Sequence, residues 1–445
     1  MTEVPEVPES PETAEVSVVV THYDAPDRLA LVLAGLAAQT LPADRFEVVV
    51  ADDGSPVAPV LPPQPYALRL VAQEDDGFRA AAARNLGAAA GTGRVLCFLD
   101  GDTVPEPGYL AAVLAETDAT AAADLAAPGG TGEVLVVGRR RHADLAGWTP
   151  ARLSAWFAGT GGAPEELEEP RWLVDGFRWT DDLRAADDES YRWVIAAVLS
   201  MHRSLFERVG GFEPSFRAYG GEDWEIANRC WLAGAQLRHV PGAVAWHDGV
   251  DFAGREVDRR AVQNAQAATL ATLLPSPATR PPGPVWASPL VVVEVDDRGW
   301  TPEQALLTMA SLLRAGDVGV WLRDGAVAAE GAPLADDPRV RAGEVPAPVL
   351  LRCRARVRVT APVELVEPLA DLVARAPVDL PGVRVRHARD LARRGWDGPG
   401  PAIADGARRP GDPGAAHRGA APAGLAPVPH DVALGGLLRA RYEAR

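Results

Sequence analysis

The chain has 445 residues, with 44 Lys+Arg against 61 Asp+Glu and a formal net charge of −17. That acidic excess excludes a nucleic-acid binder, whose surface has to neutralise phosphates. All 44 basic side chains are Arg, and the absence of Lys excludes Schiff-base chemistry and a Walker-type phosphate loop.

At roughly 150 residues per domain the length predicts two or three domains. Cys97, Cys230 and Cys353 match neither a zinc spacing nor a disulfide framework, which points to a reducing, cytoplasmic compartment. No stretch approaches the roughly 18 apolar residues of a membrane span. Nor does any segment read as a basic amphipathic anchor, so peripheral membrane contact stays open.

Residues 1–15 alternate Pro, Glu and Val without a basic region or an apolar core, predicting a disordered acidic tail and no signal peptide. Val16 to Val20 is an apolar run of the kind buried in parallel sheets. Ala25 to Ala38 follows with Leu29, Leu33 and Leu36 at helical spacing, Pro26 in the first turn and Asp24 as cap. Strands are then predicted at Phe46–Ala51, Leu68–Ala72 and Arg94–Leu99, with a helix at Arg79–Ala90. This alternation predicts an α/β sheet with helices on both faces, and its ligands belong beyond the carboxyl ends of the strands, where Thr21, Asp52 and Asp100 fall.

From Arg139 to about Trp193 regularity falls away and tryptophan accumulates. Trp193–Leu199 reads as a further strand and Glu222–Ala233, closed by Gly234, as a helix. The first domain is thereby placed at residues 16–274 and a Pro-rich linker at 275–284. A second, smaller α/β domain is expected over 285–397. There Thr301-Pro-Glu-Gln parallels Ala25-Pro-Asp-Arg and VGVWLRDG parallels EVVVADDG, so either a degenerate repeat of the first half or a chance likeness between Ala/Val-rich α/β segments accounts for it. A disordered Gly/Pro/Ala-rich segment (398–429) and a short Arg-bearing helix (430–445) close the chain.

Three constellations carry chemistry. Arg94-Val-Leu-Cys-Phe-Leu-Asp-Gly-Asp102 is an apolar strand delivering Asp100 and Asp102 to one side, where hard oxygen ligands suit Mg²⁺ or Mn²⁺ bridging a diphosphate. An acidic turn is the plainer reading. Gly220-Gly-Glu-Asp-Trp224 sets Glu222 and Asp223 at a helix N-terminus, as a cap or as a general base kept ionised by the helix dipole. His247, in Ala-Trp-His-Asp248, follows one helix and one strand later, either structural or a ligand. Trp148, Trp156, Trp172 and Trp179 are candidates for stacking on sugar faces, or core residues. Arg139-Arg-Arg141 is a solvated run or a site for an anionic acceptor.

Together these segments resemble the GT-A glycosyltransferases, nucleotide-diphospho-sugar transferases with a Rossmann-like sheet. Within them they look like family-2 enzymes of the chondroitin-polymerase type with a galactosyltransferase-like carboxyl half. The resemblance runs from Val16 to His247. It rests on Val-Ser-Val-Val-Val-Thr-His-Tyr-Asp, Val-Ala-Asp-Asp-Gly-Ser, Asp75-Asp-Gly-Phe-Arg-Ala-Ala-Ala-Ala-Arg-Asn-Leu-Gly87, the DXD triplet Asp100–Asp102, and Val209-Gly-Gly-Phe-Glu followed by Gly-Gly-Glu-Asp-Trp. It implies that Thr21, His22 and Tyr23 border the nucleotide base and that Asp52 or Asp53 bonds base or ribose. Arg84 would face base or diphosphate, with Asn85 bracing its loop. Asp100 would hold ribose or metal, and Asp102 and His247 the metal, Mn²⁺ ahead of Mg²⁺ because of the imidazole. Asp223 would be the catalytic base and Glu222 the carboxylate that grips a sugar.

The activity so implied is metal-dependent, inverting transfer of a sugar from a nucleotide-diphosphate donor, preferably a UDP-sugar, to a hydroxyl of a glycan, lipid-linked or small-molecule acceptor. The alternative is a non-catalytic glycan- or nucleotide-binding protein built on such a transferase. Beyond Pro284 no DXD and no Gly-Gly-Glu-Asp recurs, so a single activity is expected. Acceptor binding and assembly are equally open roles for the second domain.

Overall fold

The computed structural model describes residues 14–217, 220–250, 259–281, 283–325, 334–398 and 425–427, in two compact units, Met1–Leu270 and Ala271–Arg445. Residues 1–13 of the expected tail, 399–424 and 428–429 of the Gly/Pro/Ala-rich stretch, and the expected closing helix 430–445 lie outside the described residues. Glu15, assigned from sequence to the tail, is instead held in place by ion pairs from Arg45 at 2.5 Å and Arg94 at 3.2 Å.

In the first unit the elements run β1 (Val16–His22), α1 (Pro26–Ala37), β2 (Phe46–Asp52), β3 (Ala67–Ala72), α2 (Ala80–Ala90), β4 (Val95–Asp100) and β5 (Thr103–Pro105). There follow α3 (Tyr109–Ala126), β6 (Val134–Asp144), α4 (Pro150–Phe157), β7 (Glu165–Leu167), α5 (Arg171–Trp179), β8 (Val198–His202), α6 (Arg203–Val209), α7 (Glu222–Leu232) and β9 (Gln236–Asp248), and α8 (Arg259–Leu273) carries the chain across the boundary between the units. One nine-stranded mixed sheet results, ordered β3-β2-β1-β4-β8-β6-β9-β5 with β7 on β6. β1 to β4 are parallel, and β1, β2 and β4 are nearly continuous in Val, Leu and Phe, as strands buried on both faces must be, whereas the edge strand β3 is largely half-exposed. β1 leads to β2 on one side and lies against β4 on the other, so the sheet's switch point opens at its carboxyl end.

Two local expectations give way. Asp24 does not cap α1: Ala25 is the N-cap, with no side-chain bond, and Asp24 sits at φ 44° with its amide donating to Ser55 Oγ at 2.8 Å. Trp193 belongs to a 3-10 turn, Ser190–Trp193, and the strand starts only at Val198, where Leu199 meets Phe98 of β4 and Val137 of β6.

The second unit contains β10 (Val291–Val295), α9 (Pro302–Leu312), β11 (Val318–Leu322), β12 (Val340–Ala342), α10 (Ala347–Leu350), β13 (Ala355–Val359) and β14 (Val363–Leu365). Then come α11 (Leu369–Ala374), β15 (Val378–Leu380), β16 (Val383–His387), α12 (Ala388–Arg394) and β17 (Leu425–Pro427). Thr301 and Gln304 start α9 with a reciprocal capping box. The sheet order β12-β11-β10-β13-β16 is parallel through its first four strands and antiparallel at the fifth, as β3-β2-β1-β4-β8 is in the first unit. In the Pro-rich stretch Arg280 is buried and donates to the carbonyls of Ala271, Thr272 and Ser288 and to Asp317. Within the Gly/Pro/Ala-rich segment, residues 425–427 form a strand on β14.

Candidate active site

Strand register assembles the site. Thr21 lies opposite Ala51 of β2 and Asp100 of β4, and His22 opposite Asp52, so three chain ends reach the sheet edge together. Thr21 Oγ1 donates to Asp100 Oδ1 at 3.3 Å. Asp52 turns back on its own loop, accepting from the Ser55 amide at 3.0 Å and from the Ser55 hydroxyl. Asp53 accepts from the Arg79 amide at 2.9 Å and from Gln73, which ties the β2 end to the start of α2. His22 is buried, and burial pushes its imidazole below the ordinary value. It lines a cavity of about 200 Å³ with Asp24, Pro26 and residues 57–60. Tyr23 is 50% exposed beside it, its hydroxyl directed at Asp75.

Arg84, on the face of α2 turned to the sheet, is buried and joins two distant carboxylates. One guanidinium nitrogen donates to Asp100 Oδ1 at 2.8 Å and another to Glu222 Oε1 at 3.0 Å. Burial alone would push Arg84 down, but Asp100 and Glu222 outweigh it and hold the guanidinium above its ordinary value. Asn85 braces a loop, though not its own: its amide donates to the Phe212 carbonyl and accepts from the Phe212 amide, both at 2.8 Å.

Gly220 and Gly221, at φ 91° and 98°, turn the chain into α7 through a left-handed conformation that few other residues tolerate. The helix then opens with Glu222 and Asp223. Glu222 is buried and its Oε2 has no partner, so one carboxylate oxygen is left to receive a donor. Burial, reinforced by the charge of Glu222, pushes the Asp223 carboxyl up to about 7. Desolvation and the Glu222 charge thus oppose the pull of the helix dipole on Asp223.

Asp102 and His247 meet across β5 and β9. Thr103 is the strand partner of His247, and Asp102 Oδ1 lies 3.2 Å from His247 Nδ1. Asp100, by contrast, directs Oδ1 at Thr21 and Arg84. Among the described residues no three His, Cys, Asp or Glu side chains converge as a cation cage. His142, which sequence reasoning missed, lies edge-on to His247 at 5.0 Å because β6 and β9 pair across a bulge. Of the arginine run, Arg139 is bound by Glu169, and Arg141 by Glu166 and the face of Trp246. Of the four tryptophans, Trp148 is buried against Trp156, while Trp172 and Trp179 are exposed. A separate cavity of about 400 Å³, lined among others by Glu169, Leu173, Phe177, Arg178 and His239, contains Arg139 and Arg140 of the arginine run and none of the residues expected to bind donor, metal or the acceptor's proton.

The fold is the mixed α/β sheet of the GT-A class of glycosyltransferases, with carboxylates from β2 and β4 at its switch point and a further acidic pair at a helix start. Comparison with known proteins gives the family. Residues 17–162 match the model for glycosyl transferase family 2, and residues 187–247 that for the N-terminal domain of galactosyltransferase. Within the first unit the chain is thus similar to family-2 glycosyltransferases over residues 17–162 and to galactosyltransferases over residues 187–247. Over 273 residues it is 28% identical to a hyaluronan synthase of Pasteurella multocida, covering 56% of this chain and 26% of that one. A chondroitin synthase of Escherichia coli is 27% identical over 276 residues, 58% of this chain and 38% of that one. A validoxylamine A glucosyltransferase of Streptomyces hygroscopicus subsp. jinggangensis is 32% identical over 244 residues, 50% of this chain and 52% of that one. The matches thus span about a quarter to a half of these relatives' lengths. No helix among the described residues is long and apolar enough to cross a membrane.

Proposed function

We propose that the first unit transfers a sugar, with inversion, from a nucleotide-diphosphate donor, UDP-linked by preference, to a hydroxyl acceptor in glycan or glycoconjugate synthesis. The observation that carries this reading is Arg84 binding Asp100 and Glu222 together, which fixes the donor-side strand end and the sugar-side helix start in one geometry. Thr21, His22 and Tyr23 border the base, and Asp52 and Asp53 shape its loop. Glu222 receives a sugar hydroxyl on its unpartnered Oε2. Asp223, with its carboxyl near 7, accepts the acceptor's proton at neutral pH, on the face of the sugar opposite the leaving diphosphate.

Two of the three expected donors suit a divalent cation as they stand. Asp102 and His247 already lie side by side, and two carboxylates with an imidazole favour Mn²⁺ over Mg²⁺. Asp102 and His247 would hold it, with Asp100 joining them only by turning from Thr21 and Arg84, and it would supply Lewis-acid stabilisation of the diphosphate leaving group. A reducing, cytoplasmic setting accords with Cys97, Cys230 and Cys353 all being free thiols. The second unit reads as a degenerate copy without chemistry: its β-strand order follows the first, yet Val359 stands opposite the end of β10 where Asp100 stands opposite Thr21.

The deciding experiment measures nucleotide release from UDP-, GDP- and dTDP-sugars with and without Mn²⁺, for the wild type and Asp102→Ala. Metal-dependent release from one donor, lost in the variant, is expected. Metal-independent release, or none from any donor, overturns the reading.

A further inference from the structure

We infer that α5 and the 3-10 turn Ser190–Trp193 form an acceptor subsite, a tryptophan platform for an uncharged or amino-bearing saccharide. This rests on the proposed transferase activity. Most of the segment, residues 163–186, falls between the two family-matched stretches, where loops and short elements are free to set specificity.

Trp172 and Trp179 project from one side of α5 and are 40% and 66% exposed. Both flank the half-buried Trp193, with ring centroids 6.2 and 6.1 Å away. Gly176 lies between them on the helix, and a Cβ there would come within 2.4 Å of the Trp193 ring, so the absence of a side chain is what lets the three rings gather. The support is rigid. Phe177, on another side of α5, stacks on His239 at 3.6 Å. The helix ends in a left-handed run, Asp181, Asp182 and Leu183, pinned by the Leu183 amide donating to Thr180 Oγ1 and by His239 on Asp182.

The platform is continuous with the helix that carries the proposed base. Tyr191 of the 3-10 turn packs 6.3 Å from Trp224, the residue after Asp223, and Trp231 of α7 donates to Asp188 at 2.8 Å. Indole rings offer an apolar face with a polar rim, which suits the CH-rich face of a pyranose.

Charge selects the occupant. Residues 165–192 carry ten Asp or Glu against four Arg, and adding Arg139 and Arg141, which pair with Glu169 and Glu166, leaves the surroundings acidic. Such a field repels anionic glycans and anionic lipid headgroups and tolerates or attracts neutral and amino-bearing sugars.

Calorimetric titration tests this on the full chain, with maltohexaose and cellohexaose as neutral probes, a glucosamine hexamer as cationic probe and a chondroitin hexasaccharide as anionic probe. Phosphatidylglycerol vesicles are the lipid arm. Neutral or cationic probes are expected to bind at least tenfold more tightly than the anionic one. Trp172→Ala/Trp179→Ala should weaken that binding fivefold or more, and Trp172→Phe/Trp179→Phe should restore most of it, with both proteins checked for an unaltered thermal transition. Binding by none of the oligosaccharides, equal or tighter binding of the anionic one, vesicle binding in their place, or indifference to the alanine pair overturns the inference. Donor release by the wild type, measured in parallel, reports on the transferase reading separately.

Discussion

Arg84 and Glu222, 138 residues apart in sequence, meet at 3.0 Å in the interior of the first unit. The contact locks α2 to the start of α7. Burying a guanidinium and a carboxylate is expensive, and removing one partner leaves the other buried without compensation. Arg84→Met is therefore expected to destabilise the unit by about 3–5 kcal/mol. Adding Glu222→Leu should recover much of that loss. Denaturant midpoints for the two single variants and the pair check this, and additive losses would show that the two residues are not coupled.

Asp223 gives a pH signature with two opposite signs. Its carboxyl is raised from 3.8 to about 7 in the fold, so ionising it disfavours the native state. The stability tied to its protonated form is intact below pH 3.8 and is lost as pH rises through 7. Asp223→Asn should consequently match the wild type in acid and exceed it above pH 7, by roughly 1–3 kcal/mol once partial solvent screening is allowed for. Transfer should behave the other way, with the wild-type rate rising through about pH 7 as the base deprotonates and the variant losing transfer throughout. Thermal melts and initial rates from pH 4 to 9 separate the two effects, and a variant no more stable at pH 8 would place Asp223 in a less desolvated setting.

What was legible in the sequence was local. β1, β2 and β4 are apolar runs ending in polar residues, and the carboxylates at their ends follow from that punctuation. Pairings remote in sequence were not legible. Nothing near His247 announces His142, because the two meet only through the β6–β9 ladder and its bulge. Trp193 sits in an apolar stretch that reads as strand, yet it closes a 3-10 turn and its ring packs over Gly176 of α5, a partner remote in sequence. Asp24 has the chemistry of a helix cap but is held by Ser55, from the loop after β2. The resemblance brings Arg84 to the nucleotide, whereas the structure shows it first binding Asp100 and Glu222.

Gly101, between the two aspartates of the DXD triplet, is fixed by space. A Cβ there would lie 2.5 Å from the Thr21 carbonyl oxygen, a backbone atom that cannot swing aside. Gly101→Ala must therefore move the end of β4 or of β1. A destabilisation of about 1–3 kcal/mol is expected, with donor turnover falling at least tenfold because Asp100 and Asp102 shift together. An unchanged denaturation midpoint and unchanged turnover would mean that the strand ends adapt without loss.

Asp102 and His247 make the metal reading testable without any turnover. Anything that binds only the folded state stabilises it, by about 2.7 kcal/mol when free ligand is a hundredfold above its dissociation constant. The wild type is expected to melt several degrees higher with Mn²⁺ and UDP together than with UDP alone. Asp102→Ala and His247→Ala should each lose that Mn²⁺-dependent increment. Because His247 is also buried against His142, its variant will itself melt at a lower temperature. The quantity to compare is therefore the increment within each protein, not the absolute midpoint. Full retention of the increment in both variants would move the cation away from this pair.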